Sequence, residues 1–426
     1  MKALGAVVTA SAIAASGLAA AQSMSGNDKA LAIASPSPLV KSSKAYIEAR
    51  IGEIHDPAIR QATDDAIVNN ATCIGHRANL DQSGKAKILA DLKAAGLVDP
   101  DDDAKFPGGL MAGVFPPVKG DGSVCPHLPQ AFDAAPGSVF GGHHSYPGGL
   151  AVHEALNLES DINLADLYRR HYGHTGASGM PEVQAPGTPS PSAASAEVSI
   201  DQDIILAAPM WHDWAKTIVF QWNDDGSELP ELNFGGNGKT DIFGAAGTSK
   251  TGGHHILGLA ESMSRGLPPI LVIAQASAHE APYGQNEALV ANWLHAASIV
   301  ARIEPLAKGY LIKDEAGRYR LPPVKRLGRE VMLPAQGYIL AEYVLHHLSD
   351  ADYTFSGPAV VDVQALLVLL APKFGVDVAN KADFNLKFRN PVLAWMSAER
   401  LQMIYAAGGL DAVAAEISKL RSKGTI

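Results

Sequence analysis

His212 and Asp213 stand side by side in an apolar segment, and Lys216 follows four positions after His212. Imidazole and carboxylate donors together suit borderline and hard divalent cations, such as Zn, Mn, Fe or Mg, rather than soft metals. A single His-Asp pair arises by chance in many chains, so its value as evidence for a metal site depends on the residues around it. The pair predicts a metal site only if further donors lie on neighbouring elements.

Further histidines stand on or beside other apolar segments. In the stretch 148–153, a glycine pair opens a helical pattern that bears His153 in its first turn. His254 and His255 begin another such pattern, and His279 ends a very apolar one. Because buried imidazoles require polar partners, this order predicts that the histidines converge on a shared divalent cation.

This order of donors resembles the HD-domain superfamily of metal-dependent phosphohydrolases, over roughly residues 140 to 305. The sequence GGLAVH at 148–153 is similar to the family's GGLLEH, and HDWAK at 212–216 is similar to its HDIGK. The resemblance implies a helical domain that binds divalent metal ions (Mn, Mg, Zn or Fe), with Asp213 bridging two of them. The implied ligands are His153, His212, Asp213, His254 or His255, and His279.

The resemblance also implies an activity, the hydrolysis of a phosphate ester by a metal-activated water. Lys216 matches the family lysine that lies close to substrate phosphate, where a cation neutralises charge during phosphoryl transfer. We therefore take Lys216 and Asp213 as catalytic candidates. His144 joins them because His143 and His144 precede the helix and could protonate the leaving oxygen or contact substrate. A solvated pair of loop residues is the alternative for the two histidines.

One position departs from the family pattern. The closing aspartate of the family falls in a helix resembling LLHYAD, and the matching stretch here is WLHAAS at 293–298. Ser298 therefore stands where a carboxylate is expected, and a neutral hydroxyl is a poor ligand. Glu280, Glu287 or a water molecule are candidate replacements, and a different alignment of this helix is the other possibility.

Two other functional classes stay open. Some proteins of the HD fold, such as myo-inositol oxygenase, use a similar ligand order with a di-iron centre, so an iron oxygenase is the first alternative. A binding protein that has lost catalysis on the same scaffold is the second, and Ser298 is its main support. Lys216 favours the phosphohydrolase.

Helical periodicity over most of the chain favours a mainly α fold, an HD-domain-like helical bundle with helical N- and C-terminal extensions. Two segments are predicted to be irregular: a flexible lead-in at 24–43 and an exposed insertion at 173–196. The predicted units are an N-terminal helical region and loop (22–139), a metal-binding domain (140–310) and a C-terminal helical region (311–426).

Residues 1–21 are typical of a cleaved export signal, so we expect a periplasmic or secreted bacterial protein. No later stretch is expected to span a membrane. In an oxidising compartment Cys73 and Cys125 could pair, and two free buried thiols are the alternative.

The net charge of −10 argues against a nucleic-acid partner, since no segment concentrates Lys and Arg. The expected partner is a small phosphorylated substrate, and the oligomeric state is left open.

Overall fold

The fold is mainly helical, as predicted, in a computed structural model that describes residues 25–189, 197–238, 249–324 and 339–426. Within these residues the strands form two short antiparallel pairs. Strand β1 (Asn233–Phe234) pairs with β2 (Thr251–Gly252), and β3 (Ile312–Lys313) pairs with β4 (Tyr319–Arg320). No sheet layer is built from them, so the helices carry most of the site.

The α-helices of the described residues are, in chain order, α1 (Ser25–Ala34), α2 (Pro38–Ile51), α3 (Pro57–Ile67), α4 (Gln82–Ala94), α5 (Asp102–Lys105), α6 (Gly109–Val114), α7 (Gly149–Tyr172), α8 (Gln202–His212), α9 (Lys216–Val219), α10 (Gly253–Ser264), α11 (Pro269–Ala276), α12 (Asn286–Ala301), α13 (Ala341–Ser349), α14 (Tyr353–Leu370), α15 (Lys381–Phe384), α16 (Asn390–Met396) and α17 (Ala398–Ser422).

Helices α7, α8, α10, α11 and α13 pack around one another at the centre of the fold. Their apolar side chains belong to one buried cluster that runs in sequence from Ile47 to Tyr343. The cluster therefore includes helices of the predicted N-terminal region as well as those of the predicted metal-binding domain. The predicted domain boundaries stay predictions.

Two tryptophans fix the segment that carries His212 and Asp213. Trp211 Nε1 donates to Thr63 Oγ1 at 2.9 Å, and Trp214 Nε1 donates to the Ala66 carbonyl at 2.9 Å. Both indoles are fully buried, and both hydrogen-bond partners lie on α3. Because a buried indole N–H needs an acceptor, α3 sets the position of the His-Asp pair.

Helix α7 is preceded by Gly148, a position where only glycine fits. Gly148 has a φ of +83°, and a Cβ there would lie 2.4 Å from Val40 Cγ2. A side chain would both strain the backbone and collide with α2. This close approach places His153, in the second turn of α7, inside the core.

The predicted flexible lead-in at 24–43 is wrong, because α1 and α2 occupy most of it. Ser37 caps α2 by accepting a hydrogen bond from the Val40 amide, and Pro38 takes the first helical position, where no N–H is needed. The Ser37 hydroxyl also donates to the Ala394 carbonyl at 2.7 Å. Serine and proline here begin a helix rather than prevent one.

The C-terminal helices form a second buried cluster, built mainly from α14, α16 and α17. The stretch Ala341–Phe374 is long and apolar enough to cross a membrane by length and composition. The expectation that no later segment would meet this criterion was therefore wrong. In the fold the stretch is broken by a 3₁₀ turn at Asp350–Asp352, and α14 contributes buried side chains to the second cluster.

Other predictions fall partly or wholly outside the described residues. The export signal at 1–21 lies outside them, and so do residues 190–196 of the predicted insertion. The described part, 173–189, contains no helix and is mostly exposed. Cys73 and Cys125 form a disulfide, with their Cα atoms 5.5 Å apart.

Candidate metal centre

Four buried donor atoms form a ring at the centre of the bundle. His153 Nε2 lies 3.3 Å from Asp213 Oδ2 and 3.2 Å from Asp350 Oδ1. His212 Nε2 lies 3.4 Å from the same Asp213 oxygen and 3.3 Å from the same Asp350 oxygen. Donors that share one ion at about 2.1 Å, with angles of about 90 to 110°, lie about 3.0 to 3.4 Å apart. The spacing of this ring is that of a common coordination sphere.

A second group of donors shares Asp213 with the first. His254 Nε2 lies 3.1 Å from Asp213 Oδ1, the oxygen that the ring leaves free. His279 completes this group, and one potential ligand atom from each of the three residues lies within 4.8 Å of the others. The two carboxylate oxygens of Asp213 thus face different sets of histidines, as a ligand bridging two cations requires.

The Nδ1 atom of each of these four histidines lies close to an acceptor. His212 Nδ1 is 2.9 Å from the Pro209 carbonyl, and His153 Nδ1 is 3.2 Å from Asp352 Oδ1. The other two acceptors are Glu231 Oε1 for His254, at 2.5 Å, and Thr251 Oγ1 for His279, at 2.7 Å. The Pro209 carbonyl and the Glu231 carboxylate can only accept a hydrogen bond, so they fix the tautomers of His212 and His254 that leave the Nε2 lone pair for a metal.

Several donor atoms of the cluster have no hydrogen-bond partner although they are buried. They include His212 Nε2, Asp213 Oδ1 and His254 Nε2. Burying such atoms without partners is costly, and one cation in each group of donors would satisfy them. The donor types and the unpartnered atoms both fit a divalent metal ion, so these buried groups could hold one, as predicted.

Close packing of imidazoles and carboxylates shifts their pKa values in opposite directions. Burial alone would lower the pKa of His153, but the carboxylates of Asp213, Asp350 and Asp352 outweigh it and raise this pKa well above its usual range. Burial would likewise raise the pKa of Asp213, but His212, Lys216 and His153 hold it well below its usual range. Asp213 is therefore an anion at neutral pH, the form that binds cations.

Glu154 lies behind His212 and was not predicted from the sequence. Its Oε2 is 3.4 Å from His212 Nδ1, and neither carboxylate oxygen has a hydrogen-bond partner. Burial raises the pKa of Glu154 to about 8. The group is thus mainly a neutral acid at pH 7, beside the imidazole of a cluster histidine.

Lys216 lies at the wall of an adjoining cavity. Its Nζ donates to Asp213 Oδ2 and to the Gly137 carbonyl, and the side chain is buried. The cavity has a volume of about 350 Å³ and opens directly onto the cluster. Its lining residues are Ser138, His143, Asp213, Lys216, His254, Ala278, His279, His347, Asp350 and Tyr353.

The structure does not place Ser298 at the cluster. Its hydroxyl donates to the His295 carbonyl within α12, at 2.8 Å. Glu287 pairs with Arg320, and Glu280 accepts from Asn286, so neither proposed replacement reaches the site. The carboxylate that closes the ring is Asp350, which follows α13 rather than lying in α12. This geometry favours a different alignment of the closing helix over a replacement ligand.

The structure separates the two histidines of each predicted pair. His254, not His255, faces Asp213; the His255 ring stacks on His279 with centroids 4.0 Å apart, and neither ring nitrogen has a partner. His143 lines the cavity, whereas His144 does not and instead lies 3.0 Å from both Asp352 Oδ2 and Tyr146 Oη. The geometry thus offers His143, and not His144, to a substrate.

Sequence reasoning missed Asp350, Asp352 and Glu231. The signal for Asp350 was present, since it ends the apolar helix that carries His346 and His347. A favourable interaction with the helix dipole would need a charged imidazole, but burial lowers the pKa of His346 well below its usual range, so it carries no charge there. Its ring lies 5.0 Å from that of His212, behind the cluster.

No protein-family model matches the chain, and no significant match was found among curated proteins or solved structures. The cluster is compatible with an HD-type site, and the donor order His153, His212-Asp213, His254, His279, Asp350 follows the order of that family. Membership of the HD superfamily stays a proposal that depends on this geometry.

Proposed function

We propose that this chain is a metal-dependent phosphohydrolase of the HD type, acting on a small phosphate ester. The observation that carries the proposal is the position of Asp213, with its two oxygens facing two sets of histidines at 3.1 to 3.4 Å. A cavity whose wall includes Lys216 and His143 adjoins this carboxylate. Two cations and the ammonium group of Lys216 match the negative charge of a phosphate group.

The residues present divide into two binding positions for metal. His153, His212, Asp213 and Asp350 would hold one ion, and Asp213, His254 and His279 would hold the other. When bound, divalent ions supply a nucleophile from water at neutral pH and neutralise the charge of the phosphate oxygens. The second position has three protein donors, so it leaves room for water and substrate.

The cavity residues bind and orient the ester. The Lys216 ammonium lies against Asp213 and faces the same cavity, where it can attract a phosphate oxygen. Burial and the charge of Lys216 lower the pKa of His143, so this imidazole is neutral at pH 7 and acts as a hydrogen-bonding group. In the overall reaction the ester P–O bond breaks, an oxygen from water bonds to phosphorus, and the alcohol takes up a proton.

The proposal also includes an exported, oxidising location. The disulfide between Cys73 and Cys125 supports it, because such bonds persist mainly outside the cytosol. Together with the leader-like residues 1–21, it supports a periplasmic or secreted enzyme.

A substrate screen tests this function. The purified full chain is loaded with Mn²⁺, and the release of inorganic phosphate from a panel of phosphomonoesters and nucleotides is measured. We expect metal-dependent release that EDTA abolishes, that Asp213→Ala eliminates, and that the surface variant Asp91→Asn retains. No phosphate release from any ester by the metal-loaded protein would overturn the proposal. Oxygen consumption by the iron-loaded protein without phosphate release would assign the site to an oxygenase instead.

A further inference from the structure

We propose that the C-terminal helices α14 and α17 position the metal ligand His153. They do so through Asp352 and His144. The inference rests on metal binding at His153, as proposed above. It adds positioning residues from α14 and α17, elements that the function itself does not explain.

One short turn places a carboxylate beside each ring nitrogen of His153. Asp350 Oδ1 lies 3.2 Å from His153 Nε2, and Asp352 Oδ1 lies 3.2 Å from His153 Nδ1. The two carboxylates stand two positions apart in the 3₁₀ turn that leads directly into α14. The position of α14 therefore determines both a neighbour of His153 in the ring and the carboxylate that faces its Nδ1.

His144 connects this turn to the last helix. Its Nε2 lies 3.0 Å from Asp352 Oδ2, while its Nδ1 lies 3.0 Å from Tyr146 Oη and 3.5 Å from Glu399 Oε1. One arrangement of protons satisfies the two contacts at 3.0 Å: Nε2–H donates to Asp352, and Nδ1 accepts from the Tyr146 hydroxyl. His144 and Tyr146 are both buried, so this network is shielded from solvent.

Ser356 joins α14 and α17 at the same point. The His144 amide donates to Ser356 Oγ at 3.3 Å, and that hydroxyl in turn donates to Glu399 Oε1. Ser356 lies in the first turn of α14, and Glu399 in the first turn of α17. The first turns of both C-terminal helices thus meet beside His144, which in turn contacts Asp352.

The backbone around His144 is closely packed. His144 has a φ of +49°, and a Cβ on Gly149 would lie 1.9 Å from its carbonyl oxygen. A Cβ on Gly137 would lie 2.6 Å from the His144 Cβ. A non-glycine residue in this conformation persists only where its surroundings impose it. His144 is therefore a rigid connection between the C-terminal helices and Asp352.

Cobalt binding to the full-length protein tests this connection. Wild type, Asp352→Asn and Glu399→Gln are titrated with Co²⁺ against a competing chelator, and the visible absorption bands of bound Co²⁺ are recorded. We expect Asp352→Asn to weaken binding of one of two Co²⁺ ions by about 10- to 100-fold, as for other acceptors of metal-bound histidine. Glu399→Gln should weaken the same ion by a smaller factor and shift its absorption bands.

A matched variant controls for the packing of the two helices. Asp362 lies on the exposed side of α14 and accepts a hydrogen bond from Gln402 of α17 at 2.9 Å, so it links the same helices away from His144. Asp362→Asn should bind both ions as the wild type does. Equal Co²⁺ affinities and spectra for wild type, Asp352→Asn and Glu399→Gln would overturn the inference while leaving the proposed function intact. If the wild type bound no Co²⁺, the proposed function itself would fail.

A second pair of variants guards against misfolding, which circular dichroism detects. His144→Gln keeps an N–H that can reach Asp352, whereas His144→Leu removes it. We expect His144→Gln to retain most of the Co²⁺ affinity that His144→Leu loses. Equal affinities in these two folded variants would contradict a positioning role for His144.

Discussion

His153 Nε2 lies 3.2 Å from Asp350 Oδ1, although the two residues come from helices far apart in the sequence. Asn157, one turn beyond His153 on α7, donates to the same Asp350 oxygen at 3.0 Å. Asp350 is therefore held from α7 by two residues and faces His212 on its other side. This contact identifies the carboxylate that completes the first group of donors.

The first prediction separates Asp350 from Ser298. Asp350→Ala should lose one of two bound metal ions and most of the activity, because it removes an anionic donor from a ring of four. Ser298→Ala should keep both ions, with a loss of about 1 kcal/mol in the free energy of unfolding for its hydrogen bond to His295. Metal content by mass spectrometry, together with urea unfolding, measures both effects. Loss of metal in Ser298→Ala would contradict this assignment.

Much of the site could be predicted because its chemistry is local in the sequence. His212 and Asp213 are adjacent, and His153 follows a glycine pair that begins a helix, so residue types and spacing were enough. Asp350 could not be placed in this way, because α12 and α13 are both apolar helices that carry a histidine. Only packing shows that α13, and not α12, approaches α7 and His212.

The residues that contact Nδ1 of His254 and His279 could not be predicted from the sequence for a related reason. Glu231 and Thr251 lie in irregular or short extended segments, and no periodicity links them to His254 or His279. The mainly α fold was predicted because hydrophobic periodicity is repeated over many helices. The helical residues between 25 and 43 were missed because this segment is rich in Ser, Pro, Gly and Asn, whereas Ser37 and Pro38 begin α2.

The second prediction concerns Lys216. Lys216→Met keeps the length of the side chain and removes the ammonium group from the cavity wall. We expect the kcat for phosphate-ester hydrolysis to fall by about 100-fold, as when one electrostatic donor is removed, while the metal content stays unchanged. Lys250→Met is the matched control, since Lys250 pairs with Asp99 and Asp102 outside this cavity. A wild-type rate for Lys216→Met would exclude a role in binding phosphate.

The third prediction is a pH dependence of stability at Glu261, which lies on α10 outside the group of metal ligands. Burial alone would raise the pKa of Glu261, but hydrogen bonds from His76 and Gly75 and the charge of Arg265 lower it to about 2. A folded-state pKa below the unfolded value stabilises the protein above about pH 4.5, and this contribution disappears as pH falls towards 2.

Glu261→Gln should therefore lower the free energy of unfolding at pH 7 by about 3 kcal/mol, with the deficit narrowing below pH 4. Urea titrations at several pH values measure this difference. Glu53→Gln removes an exposed pair with Arg50 and should change stability by less than about 1 kcal/mol at every pH. A deficit in Glu261→Gln that is the same at pH 7 and pH 3 would rule out this linkage.

The fourth prediction concerns the disulfide between Cys73 and Cys125. These residues are separated by 52 positions. Closing a loop of this length lowers the entropy of the unfolded chain, which stabilises the folded state by about 4 kcal/mol. The double variant Cys73→Ala/Cys125→Ala should unfold at a lower urea concentration than the oxidised wild type and close to that of the reduced wild type. Identical midpoints for oxidised and reduced wild type would show that the bond adds no stability.

The position of two cations on either side of the Asp213 carboxylate is the central claim, and anomalous diffraction from crystals grown with Mn²⁺ tests it most directly. We expect two anomalous peaks, one among His153, His212 and Asp350 and the other beside His254 and His279, each within bonding distance of a different Asp213 oxygen. A map with no anomalous peak within bonding distance of either Asp213 oxygen would contradict the account.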